Sequence, residues 1–458
     1  MASGARAFSP RVPAPRASAR AAPRPHLASS APGRAPARWE RDRLPAFRVL
    51  VPRRRPAPRR AVDESYDMGS YDPEMDGFVP PEISLRSLKI GDKIGAGAFS
   101  EVYRGGVEGA DGTSERVIAK AYKKNVRGRD WFSFYADERA TCRRLKETGC
   151  EGVAPFLGVC GSDAYLVWRD VGVKTLESCV ARARSAEEAF DAIGDVFRGD
   201  ADSKPTAEQR GGNEARALVF LRLARSLLTA TASMHANEVV HRDVKPENVL
   251  VSRETRGVLL VDLGGAADLA ANVNCDPSET IFDPTYGAPE QVVRDKDKKN
   301  ANSSGLLGGL AGAFAKRAPF GVGDPSRALA AGATASGIAP CPRLDAFAIG
   351  LTLLRVATPA LYPADAMARA RCAMDAAEDR LKGPTEGTDA SAAYAADDVK
   401  NGSVLDAWAS GPGSESCDFA LIDAAEAWSL IEGLATWDPE RRLTVREALD
   451  HPCFKALE

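Results

Sequence analysis

Residues 241–248 read HRDVKPEN, a string that sets three chemically capable side chains at fixed offsets. Asp243 can orient a hydroxyl group and accept its proton, Lys245 can neutralise a migrating phosphoryl group, and Asn248 can offer its amide oxygen to a cation. Downstream, Asp262 ends the apolar run VLLV and precedes Leu263 and Gly264. A strand-end carboxylate before a glycine is suited to hold Mg2+ against phosphate oxygens. Upstream, Gly95 and Gly97 in IGAGAFSEV would let backbone N–H groups come close to phosphate. Ser100 stands where a third glycine would complete G-x-G-x-x-G, so by itself this piece is equally an ordinary hairpin. Lys120 closes the apolar run VIAK, and burying its ammonium requires a carboxylate or a phosphate. Glu138, within DERATCRRL, is the natural partner; the plainer alternative is a surface lysine and a solvated helical glutamate.

These groups need elements to hold them. LKIGDKIGAG and SEVYRGGV have the pattern of two strands joined by a glycine turn, and ERVIAKAY of a third. Asp130 to Glu147 has helical spacing, with Asp130 as candidate N-cap. APFLGVC and AYLVWRDV are strand-like, Glu214 to Ala236 is a long helix, and VLV and VLLVD are short strands beside the polar motifs. Helices dominate after Val171, among them LDAFAIGLTLLRVA and DAAEAWSLIEGLAT. Ser185–Gly212 and Val292–Pro340 lack a sustained period and are expected to be mobile insertions, as is a shorter stretch near 383–416.

With the four clusters in this order, the chain resembles a eukaryotic-type Ser/Thr protein kinase over roughly residues 88–455. Three further pieces agree. DAFAIG from Asp345 resembles the helix start whose aspartate braces the catalytic loop. DPERR, ending at Arg442, resembles the motif whose arginine pairs with the glutamate of A-P-E, here Glu290, and LTVREALDHPCF resembles the family's last helix. The resemblance implies an α+β, bilobal protein kinase fold with a small, mostly β N-lobe at 88–170. A larger, mostly α C-lobe follows at 171–458, with insertions near 185–212, 292–340 and 383–416. It implies ATP and Mg2+ as cofactors, with Ile94, Gly95, Gly97, Val102, Lys120 and Glu138 binding the nucleotide. Asp243, Lys245 and Asn248 would serve catalysis, and Asn248 and Asp262 would hold the metal. A pseudokinase or scaffold binding nucleotide or partner without transfer is the alternative, disfavoured because Lys120, Asp243, Asn248 and Asp262 are all present.

By register, Trp168 would form the back wall of the adenine pocket, the alternative being a core tryptophan that points elsewhere. Arg242 would read a phosphate in the activation segment, for which Ser278, Thr280 and Thr285 are candidates. In FDPTYGAPE, Asp283 stands where such kinases carry a threonine bridging the catalytic aspartate and lysine. A carboxylate cannot donate that hydrogen bond unless protonated, so a pairing with Lys245 is expected.

DLGGAADL followed by FDPTYGAPEQ is also similar to the chloroplast state-transition kinases of the thylakoid membrane. That likeness implies protein substrates, such as light-harvesting or photosystem proteins, and a place in the chloroplast, in the stroma or on the stromal face of the thylakoid. The chain departs from that group in having no cysteine before Cys142 and no apolar stretch of 18 or more residues. No transmembrane span but a peripheral membrane contact is therefore expected, GLLGGLAGAFAKR being one stretch that could touch a membrane or serve as a spacer.

Composition is compatible. Residues 1–60 hold fifteen arginines, no lysine, and only Glu40 and Asp42 as acids, the composition of a disordered, transit-peptide-like segment. A basic arm for an anionic partner is the alternative, but the block stops abruptly where an acidic linker, 61–87, begins. A formal net charge of −2 gives no reason to expect a nucleic acid partner. Nine cysteines without a C-x-x-C pair argue against a disulfide framework or a zinc site.

Overall fold

The alternating pattern from Leu88 to Tyr122 gives, in the computed structural model, three antiparallel strands: β1 (Leu88–Ala96), β2 (Ser100–Glu108) and β3 (Ser114–Tyr122). The structure describes residues 83, 87–97, 100–109, 112–123, 131–160, 165–172, 174–197, 212–276, 282–294, 333–335, 338–382 and 403–458. Helix α1 (Trp131–Glu147) follows, then β4 (Phe156–Cys160) and β5 (Tyr165–Arg169), completing a five-stranded sheet ordered β1-β2-β3-β5-β4. The period-2 rule assigns the faces of β3. Val117 and Ala119 join Leu88, Cys160 and Val167 in a small cluster, while Tyr122 faces the large core that also takes in Leu145, Phe156 and Leu166. Lys120 pairs in register with Leu166 and Ile118 with Trp168, so the lysine and the tryptophan share the inner face.

The remainder is mostly helical around one core: α2 (Leu176–Val180), α3 (Ala186–Phe197) and α4 (Asn213–Ala236), then α5 (Pro342–Ala357) and α6 (Ala366–Lys382). Four short strands frame the polar motifs. β6 (Val239–Val240) pairs with β9 (Ala267–Asp268), and β7 (Val249–Ser252) with β8 (Gly257–Leu260). α4 is long and apolar enough to cross a membrane by length and composition, but Phe220, Leu223, Leu227, Leu228 and Met234 along it are fully buried in the core. All nine cysteines are free. Cys142 and Cys150 line one cavity of about 480 Å3 between α1 and β8, which Leu263 of the Asp262–Gly264 motif also borders.

Three expectations are corrected. The structureless insertion over 185–212 contains α3, whose Ala189, Phe190, Ile193 and Val196 are buried at helical spacing; Phe190 meets Phe220 of α4 at 6.2 Å. An amphipathic stripe outweighs a polar composition here. The insertion near 383–416 ends in α7 (Val404–Ala409), N-capped by Ser403 and fixed by a fully buried Trp408. The single helix expected over DAAEAWSLIEGLAT is two, α8 (Ala420–Ala424) and α9 (Trp428–Leu434). Glu426 between them is left-handed at φ 50°, and Ala427 N–H reaches Ile422 O while Glu426 N–H reaches Asp423 O, a Schellman closure. Residues of the insertion near 292–340 pair as β10 (Val292–Arg294) and β11 (Ala333–Ala335). The proposed N-cap Asp130, the candidates Ser278 and Thr280, residues 1–60 and GLLGGLAGAFAKR lie outside the described residues.

Arg371 is a buried cation that was not anticipated. Arg371 on α6 is 1% exposed, with its guanidinium 5.0 Å from the Phe347 ring and 5.2 Å from that of Trp437. It donates to Gly287 O at 2.7 Å and to Asp375 at 3.1 Å, tying the helix to the FDPTYGAPE turn. Removing one partner of a buried charged contact costs several kcal/mol. Arg371→Ala is therefore expected to destabilise the chain by about 3 kcal/mol, measured as a lowered urea midpoint; an unchanged midpoint would contradict this packing role.

Candidate active site

Lys120 Nζ lies 2.8–2.9 Å from both carboxylate oxygens of Glu138 on α1 and 2.6 Å from Asp262 Oδ1. The Lys120 side chain is 8% exposed and that of Glu138 fully buried, whereas that of Asp262 is 51% exposed. Burial alone would lower the pKa of Lys120, but Asp262 and Glu138 hold it well above that of an ordinary lysine. Burial raises Glu138, while the Lys120 ammonium lowers Asp262 to about 2. Asp262 is thus an anion poised at an opening. Its backbone is left-handed (φ 63°), a strained state for a non-glycine residue. Gly264 beside it is closely surrounded. A Cβ there would meet Tyr122 Oη at 3.3 Å, Asp262 Oδ1 at 3.4 Å and Lys120 Nζ at 3.5 Å.

The catalytic loop candidate runs between β6 and β7. Arg242 is also left-handed (φ 66°), and Asp345 on α5 pins the backbone around it. The Asp345 carboxylate accepts from the N–H groups of His241 (2.8 Å) and Arg242 (2.7 Å) and meets His235 Nε2 at 2.8 Å. Burial works against that anion, yet these contacts hold Asp345 below the usual carboxylate range. Asn248 Nδ2 donates to Asp243 O at 2.8 Å and Oδ2 at 2.9 Å, which orients the catalytic candidate and turns the amide oxygen to other use. Lys245 Nζ stands 3.0 Å from Asp243 Oδ1 and 3.4 Å from Asp283 Oδ2. Burial raises the pKa of Asp243, and burial together with Glu177 pushes Glu247 up to about 7.

The FDPTYGAPE turn is clamped from several sides. Arg442 forms a bidentate pair with Glu290 (2.7 and 2.9 Å), and Arg355 donates to Tyr286 Oη at 2.7 Å. Gly287 N–H closes the turn on Asp283 O at 2.7 Å, and a Cβ on Gly287 would strike Phe282 at 2.7 Å. Thr285, one candidate for phosphorylation, is 8% exposed and its N–H donates to Asp283 Oδ1 at 2.9 Å, so in this conformation it is shielded. The buried Arg242 donates to Gly265 O at 2.6 Å, and burial lowers its pKa to about 10.

A Cβ at Gly95 or Gly97 would meet described atoms only at 3.7 Å or beyond, ordinary contact. Contacts among the described residues do not demand glycine there. Ile94 on β1 is exposed, and Val102 pairs with Gly95 across β1 and β2. Sequence reasoning missed Tyr122, whose hydroxyl donates to Glu138, although its position two residues beyond Lys120 on the same strand face marks it. It also missed Arg355 and Arg371, which no motif signals. Trp168 packs on Phe156 with ring centroids 5.4 Å apart, against the core.

The donor set suits Mg2+. Among the described residues no three His, Cys, Asp or Glu side chains gather as a metal cage. A partly exposed Asp262 and the Asn248 amide oxygen fit an ion that takes one or two protein ligands and completes its shell with phosphate and water.

Residues 88–305 match the protein kinase domain family model. The serine/threonine-protein kinase STN7, chloroplastic, of Arabidopsis thaliana is 24% identical over 386 residues, 82% of this chain and 58% of that protein. The serine/threonine-protein kinase STN8, chloroplastic, of the same plant is 29% identical over 252 residues, 48% of each. The chain thus spans only about half the length of these relatives. Among solved structures, a Stt7 homolog from Micromonas algae soaked with ATP matches with a TM-score of 0.51 and 20% identity. The match covers 81% of this chain and 93% of that one, a likeness of fold.

If Trp168 backs the adenine space, Trp168→Gly will open it. The variant is expected to use an ATP analogue carrying a bulky N6 substituent at least about tenfold better than the wild type does, in a competition assay against ATP. Equal exclusion of the analogue by both proteins would place the ring elsewhere.

Proposed function

We propose, from the match of residues 88–305 to the protein kinase domain model and the likeness of fold to the Stt7 homolog, that this chain transfers the γ-phosphoryl group of ATP to Ser or Thr hydroxyls of chloroplast proteins. The observation that carries the reading is the meeting of two polar sets: Lys120 with Glu138 and Asp262, and Asp243 with Lys245 and Asn248. Lys120, fixed by Glu138, binds the α- and β-phosphates. Gly95 and Gly97 admit the phosphates beneath the turn, while Ile94 and Val102 cover the adenine. Asp243 orients the acceptor hydroxyl and takes its proton, favoured by a pKa that burial raises. Lys245 offsets charge on the phosphoryl group during transfer. Asp262 and Asn248 would hold Mg2+, which supplies positive charge against the phosphate oxygens. Catalysis of this kind is positioning and electrostatics, with no covalent enzyme intermediate.

The chloroplast location is supported by the relatives' names and by the arginine-rich, acid-poor residues 1–60. Thylakoid proteins, including light-harvesting or photosystem proteins, are the proposed substrates, reached from the stroma or by peripheral contact at the stromal face. The similarity of DLGGAADL and FDPTYGAPEQ to thylakoid kinases supports that choice.

Incubation of the full chain with radiolabelled ATP, Mg2+ and isolated thylakoids tests this directly. Membrane proteins should become labelled on Ser or Thr, and Asp243→Asn should lower the rate at least about a hundredfold. Absence of labelling by a chain that still binds nucleotide would instead identify a scaffold.

A further inference from the structure

Asp283 brings a negative charge where the proposed chemistry gains no evident benefit from one. Lys245 has to meet an anionic phosphoryl group, yet its ammonium already sits between two carboxylates, 3.0 Å from Asp243 and 3.4 Å from Asp283. The Asp283 side chain is 30% exposed and the Lys245 side chain 20%, so both border the space an arriving substrate must enter. Asp283 is not a loose surface group. Its Oδ1 accepts from Thr285 N–H at 2.9 Å, and its carbonyl accepts from Tyr286 N–H (3.1 Å) and Gly287 N–H (2.7 Å). The same turn is held by Arg355 through Tyr286, by Arg371 through Gly287 O and by Arg442 through Glu290. A carboxylate fixed on so rigid a turn cannot follow the lysine if the lysine moves. Its contact with Lys245 is the longer of the two, beyond the usual range of a charge-assisted hydrogen bond. It is therefore the contact an incoming anion would replace first.

We propose that Asp283 is a positioning residue that occupies the place of the phosphoryl anion, holding Lys245 aligned with Asp243 until the γ-phosphate displaces it. The inference rests on the phosphotransferase reading and deepens it. Before nucleotide arrives, Lys245 lacks the partner it is placed to serve, and a lone ammonium between Asp243 and solvent would fold down onto Asp243 alone. Asp283 supplies a second anchor on the far side. The arrangement has a cost: the γ-phosphate must compete with a resident carboxylate, and like charges repel. The chain gains an aligned lysine and gives up affinity for the terminal phosphate. Asp283 is held below the ordinary carboxylate range, because Lys245 and the Thr285 N–H together overcome the effect of its burial, so the competing charge is present at neutral pH.

The two effects separate nucleotides. ADP ends at the β-phosphate, which is assigned to Lys120, so only a triphosphate competes with Asp283. Calorimetry on the full chain with Mg·ADP and with the Mg complex of β,γ-imido ATP should show this. In Asp283→Asn, affinity for the triphosphate analogue is expected to rise about three- to tenfold while that for ADP stays unchanged. The kcat for protein phosphorylation should fall in the same variant, giving an opposite-sign split between KM for ATP and kcat. Asp283→Glu, which keeps the charge, should return the analogue-to-ADP ratio towards the wild-type value. A thermal melt accompanies each variant, and Asp283→Thr carries the comparison if the asparagine variant does not fold. A purely structural aspartate predicts equal losses for both nucleotides, or none, and either result overturns the inference. A wild type that binds neither nucleotide removes the phosphotransferase reading together with this one. Wild-type binding with an unchanged ratio in Asp283→Asn removes this inference alone.

Discussion

A lysine buried to 8% exposure between two carboxylates is the constraint on which this structure turns. An isolated ammonium in that position would lose most of its hydration, and protein interiors hold such groups only when they are paired and hydrogen-bonded. The pairs come from distant parts of the chain: Lys120 from the sheet, Glu138 from α1, and Asp262 from the turn after β8. Satisfying one charge therefore brings a sheet, a helix and a strand end to a common point. Buried ion pairs seldom add net stability over apolar packing, because desolvation offsets their attraction. The network is better understood as fixing geometry than as holding the fold together, which the helical core around α4 and α5 does.

A second principle repeats through the site: strained backbone and a proline-rich turn are held by buried polar groups delivered from helices. Asp345 on α5 accepts the N–H groups that hold Arg242 in its left-handed state. Arg355 and Arg371, from α5 and α6, grip the FDPTYGAPE turn, and Arg442 reaches it through Glu290. Arg371 and Arg442 both lie over the Phe347 ring, at 5.0 and 4.9 Å, so one aromatic side chain supports two anchors of the same turn. The result is a turn held both by its own hydrogen bonds and by side chains from α5, α6 and Arg442.

What could be read from the sequence divides along physical lines. Groups whose chemistry is costly to misplace were legible. Burial cost predicts the Lys120–Glu138 pair, and the inability of a carboxylate to donate predicts that Asp283 turns to Lys245. The strands and α4 were legible from periodicity. α3 was hidden by a polar, glycine-containing composition although Ala189, Phe190, Ile193 and Val196 carry a helical stripe. The break at Glu426 was hidden because a left-handed glutamate has no composition signal; only the tertiary fit around Ala427 selects it. Arg371 was invisible for a different reason. It lies in an alanine- and arginine-rich helix, and only the folded structure shows which arginine points inward.

The central claim is that Lys120, held by Glu138, organises the phosphates for transfer. The most direct measurement is the initial rate of phosphoryl transfer from Mg·ATP by the full chain, wild type against Lys120→Met, on one protein substrate. The account predicts a loss of at least about a hundredfold, with the α4 and α5 core intact by circular dichroism. Transfer at the wild-type rate by a folded Lys120→Met chain would contradict it.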